Sequence, residues 1–316
     1  MNPFRNPYLI EAGYVFLGIL AVLLLFGMAA AWLERRAEPP QWLGHFNAHL
    51  RLWWGITVIL LLAFWFGPVT TTLLFAAVSF AALREFMTLV YRRRSDHNAI
   101  AACFYILLPL QYYFVMTDWY GMFTALIPVY AFLILPIIAA LSGDTHALFE
   151  RTAKIQWGAM ITIFCISHVP AILHLDIKGF EGRNILLLMF MIVVVQACEV
   201  FQYFWRMLPW GRRVLMPALS PCKTVSGTVG GMVSATLLAA GLYRLTPFSP
   251  AQAAAVGLLV CVMGTAGSLV MAGIKRSYGV DNWGRLLNRH GGMLDRVDGM
   301  CFAAPVFFHI VRYYWV

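Results

Sequence analysis

The sequence is poor in charge, and this shortage excludes an ordinary soluble protein. Only 12% of the 316 residues are charged and 61% are hydrophobic, whereas soluble domains carry about 25% charged residues. Uncharged runs at 12–32, 120–141 and 251–274 are each long enough to cross a bilayer, which takes about 20 residues. The runs lack the alternation expected of barrel strands. The sequence therefore predicts an all-α, polytopic integral membrane protein.

Two further absences narrow the function. No two cysteines form a CxxC pair, which argues against a zinc site or a disulfide framework and predicts small buried side chains instead. No internal repeat is evident, which weakens an interpretation as an inverted-repeat transporter. The cysteines are Cys103, Cys165, Cys198, Cys222, Cys261 and Cys301.

Hydropathy predicts about ten transmembrane helices, some of them short or re-entrant. The second and third meet at Gly67-Pro68 and could form one broken hairpin. We divide the single membrane domain into N-terminal helices, 1–180, and a C-terminal region, 181–316, which carries the polar motifs described below. The predicted spans are 12–33, 52–66, 70–83, 99–116, 119–141, 155–174, 184–205, 227–243, 251–274 and 300–316.

The basic residues lie mostly on one predicted face. Of the 23 Lys and Arg residues, 18 fall in the connections after the odd-numbered spans. The positive-inside rule places these connections in the cytoplasm and both termini outside. Arg92-Arg93-Arg94 is interpreted as a topology signal attracted to anionic headgroups. Nucleic acid binding is not expected, because the basic residues are dispersed among membrane loops.

Two of these cytoplasmic connections are rich in residues that handle phosphate and magnesium. One covers 220–227, and the other runs from 275 to HGGMLDRVD at 290–298. Phosphates need cations, hydrogen-bond donors and glycines that permit close backbone approach. Asp295 and Asp298 are three residues apart and share a helix face, where a cation would relieve their repulsion. The alternative is that both loops only set topology, with Gly291-Gly292 a plain turn.

Glu199 lies in an apolar run beside Gln196 and Gln202. An ionisable residue at membrane depth is costly, which favours a functional or paired role. The alternative is a glutamate solvated near the end of its helix. His168 is expected to be a hydrogen-bonded core histidine. His290 either opens the glycine pair Gly291-Gly292, with which it forms the glycine motif HGG, or is a solvated loop residue.

These residues resemble a known family. HGGMLDRVD is similar to the C-terminal motif H-G-G-x-x-D-R-x-D of the phosphatidate cytidylyltransferases, and Lys275-Arg276 matches the K-R pair that precedes it. Residues 220–227 resemble the family's S-P-x-K-T-x-x-G element. Arg84-Glu85-Phe86 is similar to a weaker E-F element. Specific motifs cover about the last 120 residues, and the rest resembles the family only in hydropathy.

The resemblance implies a membrane enzyme that joins CTP to phosphatidate or a related lipid phosphate, giving CDP-diacylglycerol and pyrophosphate with Mg²⁺. Its partners would include membrane lipids, with a homodimer left open, and it would sit in a bacterial inner membrane with its active site facing the cytoplasm. The catalytic residues implied are Asp295, Asp298, Lys223 and Arg296. The metal ligands implied are Asp295, Asp298 and Glu199, and we expect Asp281 to take over as a ligand one position before the family's aspartate, which is Asn282 here. The substrate-binding residues implied are Ser220, Thr224, Lys275, Arg276, His290, Gly291 and Gly292.

The chain departs from the family pattern at several positions. Asp281-Asn282 replaces K-D, Ser268 replaces an expected aspartate, Ala272 replaces a serine, and Glu199 supplies the intramembrane acid. These changes leave the number of metal ions and the lipid acceptor open. Three other functions also remain open: a CTP-dependent lipid kinase, a transporter of anionic substrates with Glu199 and His168 along its path, and a scaffold that has lost catalysis.

Overall fold

The computed structural model describes residues 7–35, 43–91, 93–208, 211, 213–286 and 291–316. Long helices dominate these residues, and the chain divides into two compact units, Met1–Thr71 and Thr72–Val316. In chain order the helices are α1 (Pro7–Glu34), α2 (Leu43–Phe66), α3 (Pro68–Val90), α4 (Arg94–Met116), α5 (Tyr120–Ala140), α6 (Leu148–His174), α7 (Asn184–Met207), α8 (Val225–Gly241), α9 (Pro250–Ser277) and α10 (Leu294–Trp315).

The helices confirm an all-α, polytopic membrane protein. Seven of those described are long and apolar enough to cross a bilayer, namely α1, α3, α4, α5, α6, α7 and α9. Two shorter apolar stretches lie at Leu50–Phe66 and Val225–Gly241. The ten predicted spans correspond one to one with α1–α10. The division at residue 180 separates regions by function and stays a prediction.

Several helices extend beyond the apolar spans predicted for them. The second and third spans were expected at 52–66 and 70–83, but α2 and α3 have 24 and 23 residues. The last span was expected to start at 300, yet α10 starts at Leu294. Hydropathy marks only the apolar part of a helix, whereas backbone hydrogen bonding continues into its polar ends. Gly67 alone separates α2 from α3, with a φ of 101° that favours glycine.

In the first unit, α1 and α2 pack through aromatic side chains. Phe16 and Phe64 meet edge to face with ring centroids 5.7 Å apart. Phe26 and Phe46 do the same at 6.0 Å. Edge-to-face contacts place the positive ring edge on the negative ring face and add about 1 kcal/mol each beyond the buried area.

In the second unit, small residues let the C-terminal helices approach closely. A Cβ at Gly231 would lie 2.4 Å from Cγ of Gln202, so α8 packs directly on α7. A Cβ at Gly299 would lie 3.2 Å from the carbonyl oxygen of Gly264, so α9 and α10 are also in close contact. Small residues are typical of helix contacts in membranes, where van der Waals packing drives association.

Buried polar groups join α4, α5 and α6. Gln111 donates to the carbonyl oxygen of Phe123 at 3.0 Å and to the hydroxyl of Ser167 at 3.1 Å. His168 is fully buried, with Nδ1 2.7 Å from the carbonyl oxygen of Phe164. Its ring lies against Phe123, Phe164 and Phe308. The prediction of a hydrogen-bonded core histidine is therefore confirmed.

An ion-pair cluster connects the loop after α5 to the start of α4. Arg151 donates from Nε to Asp96 and from Nη1 to Asp144, both at 2.8 Å. The hydroxyl of Ser95 donates to Asp144 at 2.9 Å, and Arg93 lies 3.2 Å away. Chiefly through the Ser95 hydrogen bond, this cluster lowers the pKa of Asp144 to about 2.

The one addition to the predicted all-α fold among the described residues is a small antiparallel hairpin. Strand β1 (Val214–Met216) pairs with β2 (Ser220–Thr224), with Val214 opposite Thr224 and Met216 opposite Ser220. The register shifts between these two pairs. The hairpin carries the polar motif at 220–227 into α8.

Candidate active site

Lys223 projects from β2 onto helix α9. Its ammonium group donates to the hydroxyl of Ser268 and, at 3.4 Å, to the carbonyl oxygen of Thr265. Thr224 then caps α8, because its hydroxyl accepts a hydrogen bond from the N–H of Gly227 at 3.1 Å. Burial lowers the pKa of Lys223, while the nearby carboxylates of Asp298 and Glu199 oppose that shift.

A narrow cleft of about 10 Å³ lies where α7, α9 and β2 meet, and Glu199, Gln202, Lys223 and Ser268 are among its lining residues. Gln202 donates to the hydroxyl of Thr265 at 2.8 Å, which fixes one wall. The cleft is water-sized, because a cavity needs about 10–15 Å³ to hold one water molecule.

Glu199 and Asp298 meet beside this cleft from different helices. The Oε1 atom of Glu199 would lie 3.1 Å from a Cβ on Gly299, so Glu199 contacts α10 next to Asp298. Glu199 interacts electrostatically with Asp298 and with the cations Lys223 and Arg296. Glu199, for which a functional role was predicted, therefore has both acidic and basic side chains near it.

Asp295 organises the glycine motif. Its Oδ1 atom accepts from Lys275 at 2.7 Å, and its Oδ2 atom accepts from the N–H of Gly292 at 2.8 Å and of Trp283 at 3.0 Å. The side chains of Lys275 and Asp295 are only 16% and 9% exposed. Gly291 has a φ of 81°, and a Cβ there would lie 2.6 Å from Oδ2 of Asp295. Gly291 therefore allows the loop to fold over this carboxylate.

A larger cavity of about 610 Å³ lies between the end of α3 and the loop after α9. Asp281, Asn282 and Trp283 line it. Asp281 is paired with Arg276 at 3.2 Å, and both side chains are well exposed. Asp281 thus lines this cavity and not the cleft that Glu199 lines.

The predicted residues lie at one end of the helix bundle. Ser268 and Lys275 are seven residues apart on α9, so Lys223 reaches α9 roughly 10 Å along its axis from the Lys275–Asp295 pair. Ser220 begins β2 on the same connection. Arg296, in the first turns of α10, interacts with Glu199, Asp295 and Asp298. His290 lies outside the described residues.

The four predicted metal ligands do not form one cluster. Within the described part of the chain, no group of three or more His, Cys, Asp or Glu side chains is placed to hold a metal ion. The oxygens of Asp295 accept hydrogen bonds from Lys275 and from two backbone N–H groups. Glu199 and Asp298 remain as a neighbouring pair of carboxylates.

Glu85, which is not among the predicted site residues, contacts the start of α10. This residue is 4% exposed, and its two oxygens accept from the N–H groups of Met293 and Leu294, each at 2.9 Å. The neighbouring Phe86 stacks on Trp283, with ring centroids 5.4 Å apart. The signal in the sequence was the similarity of Arg84-Glu85-Phe86 to the family's E-F element, and the partners of Glu85 lie more than 200 residues away.

Comparison with known proteins identifies the family. The profile described as the cytidylyltransferase family matches residues 47–314, which include α3–α9, the hairpin and all but the last residue of α10. The chain belongs to the cytidylyltransferase family. It is a membrane-embedded nucleotidyltransferase, and the resemblance carried by HGGMLDRVD is confirmed.

Individual relatives agree with this assignment. This chain is 36% identical to the protein YnbB of Escherichia coli (strain K12) over 299 aligned residues. The alignment covers 93% of this chain and 96% of YnbB. The chain is 30% identical to a phosphatidate cytidylyltransferase of Bacillus subtilis (strain 168), covering 65% of this chain and 74% of the relative. A phosphatidate cytidylyltransferase of Staphylococcus aureus (strain COL) is 33% identical over 49% of this chain and 60% of its own length.

Proposed function

We propose that this cytidylyltransferase transfers the cytidylyl group of CTP to phosphatidate or a closely related lipid phosphate, forming a CDP-lipid and pyrophosphate. The substrate assignment is supported by the names of the Bacillus and Staphylococcus relatives. The departures at Ser268 and Asn282 are the reason for including related lipid phosphates among the acceptors.

One observation carries the proposal: Lys223, Glu199 and Asp298 converge from three separate elements beside one cleft. Lys223 lines the cleft from β2 and Glu199 lines it from α7, and Asp298 on α10 interacts electrostatically with both. A triphosphate needs cations close to its oxygens, and its metal ion needs hard oxygen ligands. The convergence of both kinds of group supports phosphate binding beside this cleft.

The reaction needs little covalent chemistry from the protein. An oxygen of the lipid phosphate attacks the α-phosphorus of CTP, a P–O bond forms, and the bond to the bridging oxygen of the β-phosphate breaks. Pyrophosphate leaves with that electron pair, so positioning and charge neutralisation supply most of the rate. Lys223 and Arg296 would hold phosphate oxygens, while Lys275 would keep Asp295 and the glycine motif in place.

The carboxylates beside the cleft fit Mg²⁺. Magnesium commonly takes one or two protein carboxylates and completes its octahedron with water and substrate phosphates. Glu199 and Asp298 would hold it, and Asp295 and Asp281 would support the surrounding loop. When bound, the ion would neutralise charge on the triphosphate and the leaving pyrophosphate.

The site is expected to face the cytoplasm of a bacterial inner membrane. Lys223, Lys275, Arg276 and Arg296 belong to connections that carry most of the basic residues, and such connections stay in the cytoplasm. CTP is a cytoplasmic nucleotide, so this orientation supplies the substrate directly. A homodimer stays a prediction.

The decisive experiment uses purified protein in liposomes with Mg²⁺, CTP and a panel of lipid phosphates, following pyrophosphate and labelled lipid. Label at the α-phosphorus of CTP should enter the lipid. Entry of γ-label instead would show a lipid kinase. Uptake into sealed vesicles without pyrophosphate release would show a transporter, and absence of CTP binding by calorimetry would show a scaffold.

A further inference from the structure

The carboxylate of Glu85 connects the first half of the chain to the glycine motif. It lies near the C-terminal end of α3, and its oxygens accept from the N–H groups of Met293 and Leu294, at the start of α10. The first N–H groups of a helix have no partner within the helix, and a negative charge there is favourable. Among the described residues, no Lys or Arg forms an ion pair with Glu85, so the helix start supplies its positive partner.

Two glycines enclose this carboxylate. A Cβ at Gly292 would lie 2.2 Å from Oε2 of Glu85, and a Cβ at Gly284 would lie 2.7 Å from its Cδ and Oε1. Real Cβ atoms do not approach other atoms so closely, so both positions require glycine while Glu85 stays in place. The second glycine of HGG is thus explained by a contact with Glu85.

The position of the start of α10 determines the positions of the carboxylates of Asp295 and Asp298. Asp295 lies in the first turn of this helix and Asp298 in the next, where it interacts with Lys223 and Lys275. A shift of the helix start would move Asp298 relative to Lys223 and Glu199. Misplacement of a reacting group by about 1 Å can cost about 100-fold in rate.

We propose that Glu85 is a positioning residue for nucleotidyl transfer, which acts by holding the start of α10 and with it Asp298 and Arg296. Its kinetic part rests on the function proposed above. Glu85 touches no substrate in this role, so its loss lowers turnover and leaves the affinity for CTP nearly unchanged.

A double-mutant cycle tests the contact between Glu85 and Gly292. Glu85→Ala and Gly292→Ala should each lower kcat about 100-fold, with KM for CTP changed less than about threefold. In the double variant the new Cβ meets no carboxylate. The combined loss should therefore stay within about tenfold of the worse single variant, instead of the product of the two. Multiplying losses, or a loss confined to KM, would overturn the proposal.

Matched controls exist at the opposite end of the helices. Glu181 is an exposed carboxylate that accepts from the N–H of Gly179 at 2.9 Å, and Gly121 has open space where a Cβ would be added. Glu181→Ala and Gly121→Ala should keep normal turnover. If Gly292→Ala does not fold, Gly284→Ala takes its place in the cycle, because it meets the same carboxylate.

Hydrogen exchange needs no substrate, so it tests the positioning role of Glu85 separately from the proposed nucleotidyl transfer. In Glu85→Gln the side chain keeps its size but loses one acceptor, so hydrogen exchange over 291–299 should become about tenfold faster, while exchange in α7 stays unchanged. Unchanged exchange over 291–299 would reject the positioning role even if CDP-lipid forms. Faster exchange in a protein that makes no CDP-lipid would reject the proposed function and retain the contact.

Discussion

The ammonium of Lys275 lies 2.7 Å from Oδ1 of Asp295, and this ion pair joins the end of α9 to the start of α10. The other oxygen of Asp295 accepts two backbone N–H groups, from Gly292 and Trp283. A single carboxylate thus holds a helix end, a helix start and the loop between them. Asp295 is therefore expected to matter for both stability and turnover.

The substitution Asp295→Asn should lower both the stability of the protein and its turnover. The change removes the charge opposite Lys275 and can place an amide N–H against a backbone N–H. Breaking a largely buried ion pair costs about 3 kcal/mol, and turnover should fall at least about 100-fold. Chemical denaturation and pyrophosphate release measure the two effects. For comparison, Asp281→Asn loses an exposed pair with Arg276 and should change the unfolding free energy by less than about 1 kcal/mol. Normal turnover in Asp295→Asn would remove Asp295 from the site.

Lys223→Ala should mainly weaken substrate binding. The side chain donates to Ser268 and Thr265, and it is the basic group that lines the cleft. Losing one charge-assisted contact to a phosphate costs about 2 kcal/mol, which corresponds to an increase of about 30-fold in KM for CTP or for the lipid. Lys178→Ala removes an exposed lysine from the opposite end and serves as the control. If KM for both substrates stayed normal, Lys223 would have no binding role.

Glu199→Gln should raise the Mg²⁺ concentration needed for half-maximal activity. The substitution keeps the shape of the side chain beside Gly299 and removes one of the two neighbouring carboxylates. Loss of a metal ligand of this kind should shift the Mg²⁺ dependence by about tenfold or more. A titration of activity with Mg²⁺ at saturating CTP measures it. An unchanged titration curve with lower kcat would assign Glu199 a role other than holding the metal.

Gly231→Ala should destabilise the packing of α8 on α7. The added Cβ would lie 2.4 Å from Cγ and 2.7 Å from the backbone nitrogen of Gln202, and the backbone cannot move aside cheaply. Overpacking of this kind costs about 1–3 kcal/mol. Gly241→Ala, on the same helix with open space at the Cβ position, should be neutral. Equal unfolding midpoints for the two variants would contradict the close helix contact.

Asp144 should make stability depend on acid pH. Its pKa is lowered from 3.8 to about 2, chiefly by the hydroxyl of Ser95 and then by the N–H of His146. A lowered pKa means that the carboxylate stabilises the folded state above about pH 4 and loses this effect as the pH falls towards 2. Asp144→Asn should therefore unfold more easily than the wild type at pH 6, with the difference shrinking below pH 4. Tryptophan fluorescence in detergent follows the unfolding. A difference that grows on acidification would show the opposite sign.

The sequence by itself determined the class of protein and the order of its helices. Long uncharged runs form α-helices in a bilayer, because a helix satisfies every backbone hydrogen bond within itself. The distribution of Lys and Arg, together with the HGG motif, then pointed to two connections and to the family. Such signals are local, so each can be read without knowing what packs against it.

Tertiary structure alone decided which carboxylates stand together. Asp295 and Asp298 look equivalent in HGGMLDRVD, yet Asp295 binds Lys275 and the loop, whereas Asp298 stands beside Glu199. Glu85 acquires its partners 208 and 209 residues away. Hydrogen bonds of this kind depend on how helices distant in the sequence are placed side by side, and hydropathy carries no information about that placement.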